Sequence, residues 1–109
     1  MDHVLFIQKV KKDKKDKYIE YHKRCAQDLL KEINNAGIER EIIWINDEQL
    51  IVYIMARNFD ISMDILSEKE IFKDWLVLMS PLLSEVQDYS EKGKIIKLQE
   101  VFNLEKQII

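Results

Sequence analysis

Tyr18 and His22 stand four residues apart in the run Tyr-Ile-Glu-Tyr-His. That spacing is just over one helical turn, so both side chains project from one face. Histidine has an unperturbed pKa of ~6.5, so an imidazole in a pocket both takes and gives protons near neutral pH. A phenol beside it orients a ligand hydroxyl or tunes the ring. The same pair also suits a core, where the histidine bonds a tyrosine and a backbone carbonyl. Trp75 is a third candidate, either a core aromatic at helical spacing or a flat platform for the apolar face of a sugar. Cys25 follows His22 on the same helix. A Cys–His nucleophile is not expected there, because both side chains tilt the same way and a third orienting group is missing. His3, alone at the start of a strand, carries little functional weight.

One amphipathic helix, Lys15 to Asn35, must position the pair. Cys25, Ala26, Leu29 and Ile33 continue the face of Tyr18 and His22 in steps of three and four, and charged residues fill the rest. Burying an imidazole and a phenol in that stripe requires hydrogen-bond partners, from the core or from a ligand.

Composition narrows the function classes. The 109 residues, 47% hydrophobic and 34% charged, describe one folded domain over 1–109. A formal net charge of −3 gives no basic field for nucleic acid or an anionic membrane. The lysines from Lys9 to Lys17 are offset by Asp13 and Asp16 and read as a solvated turn. The single cysteine rules out an internal disulfide and a cysteine metal cluster. His3 and His22 are too far apart in sequence to suggest a metal site, and two glycines leave no phosphate-cradling loop. No apolar run approaches the ~18 residues of a membrane span. No signal-peptide pattern opens the chain, so a cytoplasmic protein is expected.

The remaining elements follow from pattern. Val4 to Val10 is a strand. Lys11 to Lys14 is a turn in which Asp13 caps the helix, and Gly37 ends that helix in the left-handed region. Ile38 to Asn46 is the second strand, with Ile38, Arg40, Ile42, Trp44 and Asn46 on one face and Glu39, Glu41, Ile43 and Ile45 on the other. Leu50 to Met55, continuously apolar, reads as a strand covered on both faces. The short polar connection makes the two a hairpin. Asp60 caps a helix over Ile61 to Leu66, and Ser67-Glu68-Lys69-Glu70 forms a capping box for the next. That helix carries the stripe Ile71, Trp75, Leu78 and Met79 and ends at Pro81. Leu82 to Lys94 is irregular, with Gly93 as a turn point. Ile95 to Phe102 is the last strand, and Leu104 to Ile109 a tail. The order β-α-β-β-α-β is a ferredoxin-like α+β arrangement. Helices cover one sheet face, which leaves Trp44 and its neighbours on the other. An apolar face of that size predicts a two-fold homodimer with the sheets facing each other, a dimeric α/β barrel.

Three stretches resemble a known family. Tyr18-Ile-Glu-Tyr-His22 with Leu29 to Gly37 (Leu-Leu-Lys-Glu-Ile-Asn-Asn-Ala-Gly) is similar to the first helix of the L-rhamnose mutarotase family. Leu98-Gln-Glu-Val-Phe102 is similar to its terminal strand, and Trp75 falls at the first tryptophan of its tryptophan pair. The resemblance spans nearly the whole chain. It implies a cofactor-free dimeric enzyme that interconverts the α and β anomers of a 6-deoxy aldose, of the L-rhamnose or L-fucose type. It further implies that His22 is the proton donor, that Tyr18 binds substrate, and that Trp75 lines the pocket. Some positions depart from the family. Lys23-Arg24-Cys25-Ala26 stands where the family has Asn-Pro and Trp-Pro, Leu76 replaces the second tryptophan, and Glu41 replaces a sugar-binding tyrosine. A carboxylate there either bonds sugar hydroxyls or raises the pKa of His22 by favouring its charged form. The alternative on this architecture is a small-molecule-binding protein, a cofactor-free oxygenase, or a dimeric module without activity.

Overall fold

The structure is a computed structural model that describes residues 1–85 and 95–108. Four strands form an antiparallel sheet: β1 (Asp2–Val10), β2 (Ile38–Asn46), β3 (Gln49–Ala56) and β4 (Leu83–Glu85), in the order β2-β3-β1-β4. Helices α1 (Lys15–Lys23) and α2 (Gln27–Asn35) follow β1. Helices α3 (Phe59–Ser67) and α4 (Glu70–Met79) follow β3, and a short α5 (Leu104–Gln107) lies near the end. The chain is therefore ferredoxin-like, as expected, but several details differ from the pattern reading.

The long helix is broken. Arg24 leaves the helical region and Ala26 is extended (φ −63°, ψ 136°), although no glycine or proline marks the spot. The break serves packing. Tyr18 of α1 joins a cluster with Val10, Leu50 and Met79, whereas Leu29 of α2 joins another with Val4, Phe6 and Ile38. Two short helices address both clusters.

Helix starts also differ. The α1 N-cap is Lys14 and that of α4 is Lys69, neither with a side-chain cap bond, so Asp13 and the Ser67 capping box do not cap. The Ser67 hydroxyl instead donates back to the Asp64 carbonyl at 2.8 Å. At α3 the cap is Asn58, not Asp60: the Ile61 N–H donates to Asn58 Oδ1 at 3.1 Å. Asp2 of β1 adds a second acceptor, taking the Phe59 N–H at 2.9 Å. On α4, Phe72 and Met79 are buried while Leu78 is exposed, so Phe72 replaces Leu78 in the stripe.

On the sheet, alternation holds in β3. Leu50, Val52, Ile54 and Ala56 are buried against the helices, while Ile51, Tyr53 and Met55 on the outer face are only half-buried. Helices thus cover one face of β3, not both. In β2 the alternation slips once. Ile38 pairs with Ala56 and Arg40 with Met55, so Glu39 is an extra, bulged residue. Ile38 therefore faces the core together with Ile43, although they stand five positions apart, an odd spacing.

The fourth strand lies earlier than expected. Leu83–Glu85 pairs with Lys9 and Val10 of β1, leaving the rest of that β1 edge without β4. The segment 95–102 runs there, and the Leu98 N–H donates to the Leu5 carbonyl at 2.7 Å. It forms no ladder among the described residues, and Val101 and Phe102 are exposed. Most of the irregular stretch expected over 82–94, with its turn at Gly93, lies outside the described residues.

Gly37, just past α2, has φ +104° and passes close to Ser62, whose hydroxyl would stand 3.1 Å from an added Cβ. That hydroxyl is buried and donates to the Ala36 carbonyl at 2.7 Å, so it cannot swing aside freely. Gly37→Ala should destabilise the fold by about 1–2 kcal/mol from the left-handed backbone alone. Urea unfolding checks this, and a midpoint equal to wild type contradicts it.

Candidate functional site

A partly open cavity of about 790 Å³ lies between the inner face of the sheet and the helix layer. The size is in the range of small-molecule sites. Tyr18, His22 and Trp75, the three candidates from the sequence, all border it. Cys25, Leu29 and Ile33 border it too, so the expected stripe survives the break between α1 and α2. Ala26 alone is turned out to solvent.

Three rings make one corner of the cavity. The His22 ring lies 4.1 Å from the Tyr18 ring, tilted by 33°, and meets Trp75 edge-on at 5.1 Å and 74°. Helical spacing produces the first contact, and α4 packing against α2 brings the indole. His22 Nδ1–H donates to the Tyr18 carbonyl at 2.8 Å. A carbonyl only accepts, so Nδ1 carries the hydrogen and the neutral ring keeps its lone pair on Nε2. Among the described residues nothing bonds Nε2.

The electrostatics fit a neutral ring. Burial lowers the His22 pKa from its ordinary 6.5, against a smaller upward pull from the Tyr18 carbonyl bond. The expectation that a carboxylate at position 41 raises it is not met: desolvation lowers it, and Glu41 is not among the groups that act on it. Burial, then the charge of Glu41, pushes the Tyr18 hydroxyl and the Cys25 thiol upward. Tyr18 stays a phenol that donates hydrogen bonds, and Cys25 stays a thiol whose S–H points to the Tyr21 carbonyl at 3.7 Å. Neither has the depressed pKa of a nucleophile.

Glu41 lines the cavity from β2. It is an exposed residue at the cavity wall, and desolvation there raises its carboxyl pKa to about 7. Pattern reading placed Glu41 correctly on the face of Ile43, but nothing local announces a raised pKa. Gln8 is a wall residue that pattern reading missed. It is buried at 4% exposure and borders the cavity. Its signal was present: Gln8 is the polar member of the inward series Val4, Phe6, Gln8, Val10. His3 lies elsewhere, sharing a 2.6 Å hydrogen bond with Tyr53 on the outer face. Among the described residues no group of three His, Cys, Asp or Glu could hold a metal ion.

The pocket is largely apolar and aromatic, and it carries the basic nitrogen of His22 and the weakly acidic carboxyl of Glu41, with Glu39 and Arg40 also on its β2 wall. It can move protons on a polyhydroxylated guest whose apolar face rests on the indole.

Comparisons with known proteins give the family and the fold. The sequence model for L-rhamnose mutarotase matches residues 3–104. Among solved structures, an L-rhamnose mutarotase from Formosa agariphila superposes with a TM-score of 0.75 at 23% identity, covering 95% of this chain and 99% of that one. Tetracenomycin F2 cyclase from Streptomyces glaucescens, a type-II polyketide cyclase, superposes with a TM-score of 0.57 at 15% identity, covering 94% and 98%. At such identities both likenesses speak for the fold. No protein of curated function matches in sequence.

Proposed function

The chain belongs to the L-rhamnose mutarotase family, an isomerase family acting on carbohydrates, and from that premise we propose that it interconverts the anomers of a 6-deoxy aldose of the L-rhamnose or L-fucose type through His22. Mutarotation opens the hemiacetal, turns the aldehyde and closes the ring again. Only protons move, so the reaction calls for no redox cofactor. His22 Nε2 is the exchanging atom. The carrying observation is the Nδ1–H bond to the Tyr18 carbonyl, which fixes the tautomer and leaves Nε2 for the guest. A neutral ring takes a proton before it gives one, so His22 acts first as base, and its conjugate acid donates on ring closure. Tyr18 packs on the imidazole and contributes a phenolic donor, and Trp75 supports the C–H face of the sugar. Gln8 adds a buried polar side chain to the same wall. The test is saturation-transfer NMR or polarimetry on a panel of deoxy sugars. Exchange no faster than in buffer for every sugar would end the proposal.

The oxygenase and pure binding readings gain nothing from this pocket, which holds several polar groups besides His22. The likeness to the polyketide cyclase extends to the fold only.

The active form we propose is a homodimer, paired through the outer sheet face. Trp44 is 52% exposed there, beside the half-buried Ile42, Ile51 and Tyr53. A second copy with its own apolar face would cover them. Trp44→Asp should convert the dimer to monomer in light scattering after gel filtration; an unchanged mass would refute this interface. No described helix is long and apolar enough to cross a membrane. A cytoplasmic location suits the free thiol of Cys25, and cell fractionation tests it.

A further inference from the structure

Opening an aldose ring moves two protons at two oxygens. The anomeric hydroxyl loses one and the ring oxygen gains one. His22 has a single nitrogen available, since Nδ1 is tied to the Tyr18 carbonyl. We propose that Glu41 is the second catalytic group, a carboxylic acid that protonates the ring oxygen while His22 Nε2 takes the proton of the anomeric hydroxyl. This inference rests on the mutarotase reading and adds to it a residue and a direction of proton flow.

The geometry carries it. Glu41 projects from β2 in the sheet, and His22 from α1 in the helix layer, so the two approach one cavity from its two walls. Among the described residues no hydrogen bond or ion pair engages the Glu41 carboxyl, and no contact joins it to His22. The carboxyl nonetheless lies close enough to influence Tyr18 and Cys25. These two flank His22 along the chain, one turn before it and three residues after. Both residues line the one cavity, and no described contact closes the space between them.

The step balances. The C1–O5 bond breaks and C1–O1 becomes a carbonyl. The O1 proton passes to His22 Nε2, and the Glu41 proton passes to O5. After rotation about C1–C2 the ring closes from the other face: O5 returns its proton to the Glu41 carboxylate, and imidazolium protonates O1. Neither group ends changed. Desolvation, which raises the Glu41 pKa to about 7 and lowers that of His22, leaves a substantial share of the acid protonated at a pH where the base is neutral. Among the described residues, the other titratable groups lining this cavity are Tyr18 on α1, Cys25 between α1 and α2, and Glu39 and Arg40 on β2. The wall residues from β1, β3 and α4, such as Gln8, Ile54 and Trp75, do not titrate in this range.

The test is the pH profile of anomer exchange by NMR for wild type, Glu41→Gln and Glu41→Asp. Wild-type rate should fall as pH rises through about 7, where the acid is lost. Glu41→Gln keeps the shape and supplies an amide N–H donor in place of the acid O–H, but has no proton to give. It should slow kcat by about 10²-fold with little change in KM, and its profile should lose that alkaline fall. Glu41→Asp should keep the fall at reduced rate. Thermal unfolding guards against a folding artefact. With its pKa raised from 4.5 to about 7, the wild-type carboxyl costs stability progressively over that window and fully above it. Glu41→Gln escapes this cost and should melt no lower than wild type above pH 7. Glu41→Gln at wild-type rate with an unchanged profile overturns the assignment, as does a Glu41→Asp profile without the alkaline limb. A wild type inactive on every sugar overturns the mutarotase reading itself, and this inference with it.

Discussion

His22→Ala should slow anomer exchange by roughly 10²–10⁴-fold, the usual contribution of one positioned acid–base group. The loss belongs in kcat, because Tyr18, Trp75 and Gln8 still shape the pocket. The fold should tolerate the change. His22 is only partly buried, and its one described hydrogen bond runs to the carbonyl of the residue four earlier on the same helix. That carbonyl keeps its helical surroundings when the ring is gone. Saturation-transfer NMR on the preferred sugar measures the rate directly against the buffer-catalysed background. Equal exchange by wild type and His22→Ala, both above buffer, would remove the imidazole from the mechanism and leave the family membership standing. Small imidazole added to the variant offers a further check, because it restores a base but not its positioning.

Phe6→Ala should cost ~3–5 kcal/mol, the range for emptying a buried aromatic site. Phe6 is 0% exposed and sits in the larger core cluster, between β1 and the helices, with Val4, Val52 and Ile54. Its strand also carries Gln8 into the cavity, so the residue supports the floor of the site. Native domains are stable by only about 5–15 kcal/mol, and a loss of this size removes a large share. The midpoint in urea should fall accordingly, with melting lower by more than ~10 °C. Val77→Ala serves as the control: Val77 is 73% exposed, and its change should stay within about 0.5 kcal/mol. A Phe6→Ala effect as small as the control would mean that the larger cluster does not hold the sheet to the helices.

The two predictions separate roles that the pattern left joined. Tyr18 and His22 lie on one stripe, and helical spacing could not say whether that stripe faced core or ligand. The structure gives a divided answer. Tyr18, at 5% exposure, is packed among Val10, Leu50 and Met79, while the His22 ring rests on it and borders open space. The carbonyl bond is the one a core histidine makes, and the cavity is what a ligand role requires.

What the chain determined by itself is what near neighbours determine. Alternation and helical periodicity gave the β-α-β-β-α-β order, the hairpin at Asn46 to Gln49 and the inward face of Glu41, because each depends on residues a few positions apart. Gly37 belongs here as well, since its positive φ ends a helix locally. Tertiary structure decided the rest. The break before α2, the bulge at Glu39 and the fourth strand at Leu83–Glu85 arise where one segment accommodates another distant in sequence. The raised pKa of the Glu41 carboxyl has the same origin. A carboxylate is charged in water, and only the protein folded around it makes that charge expensive.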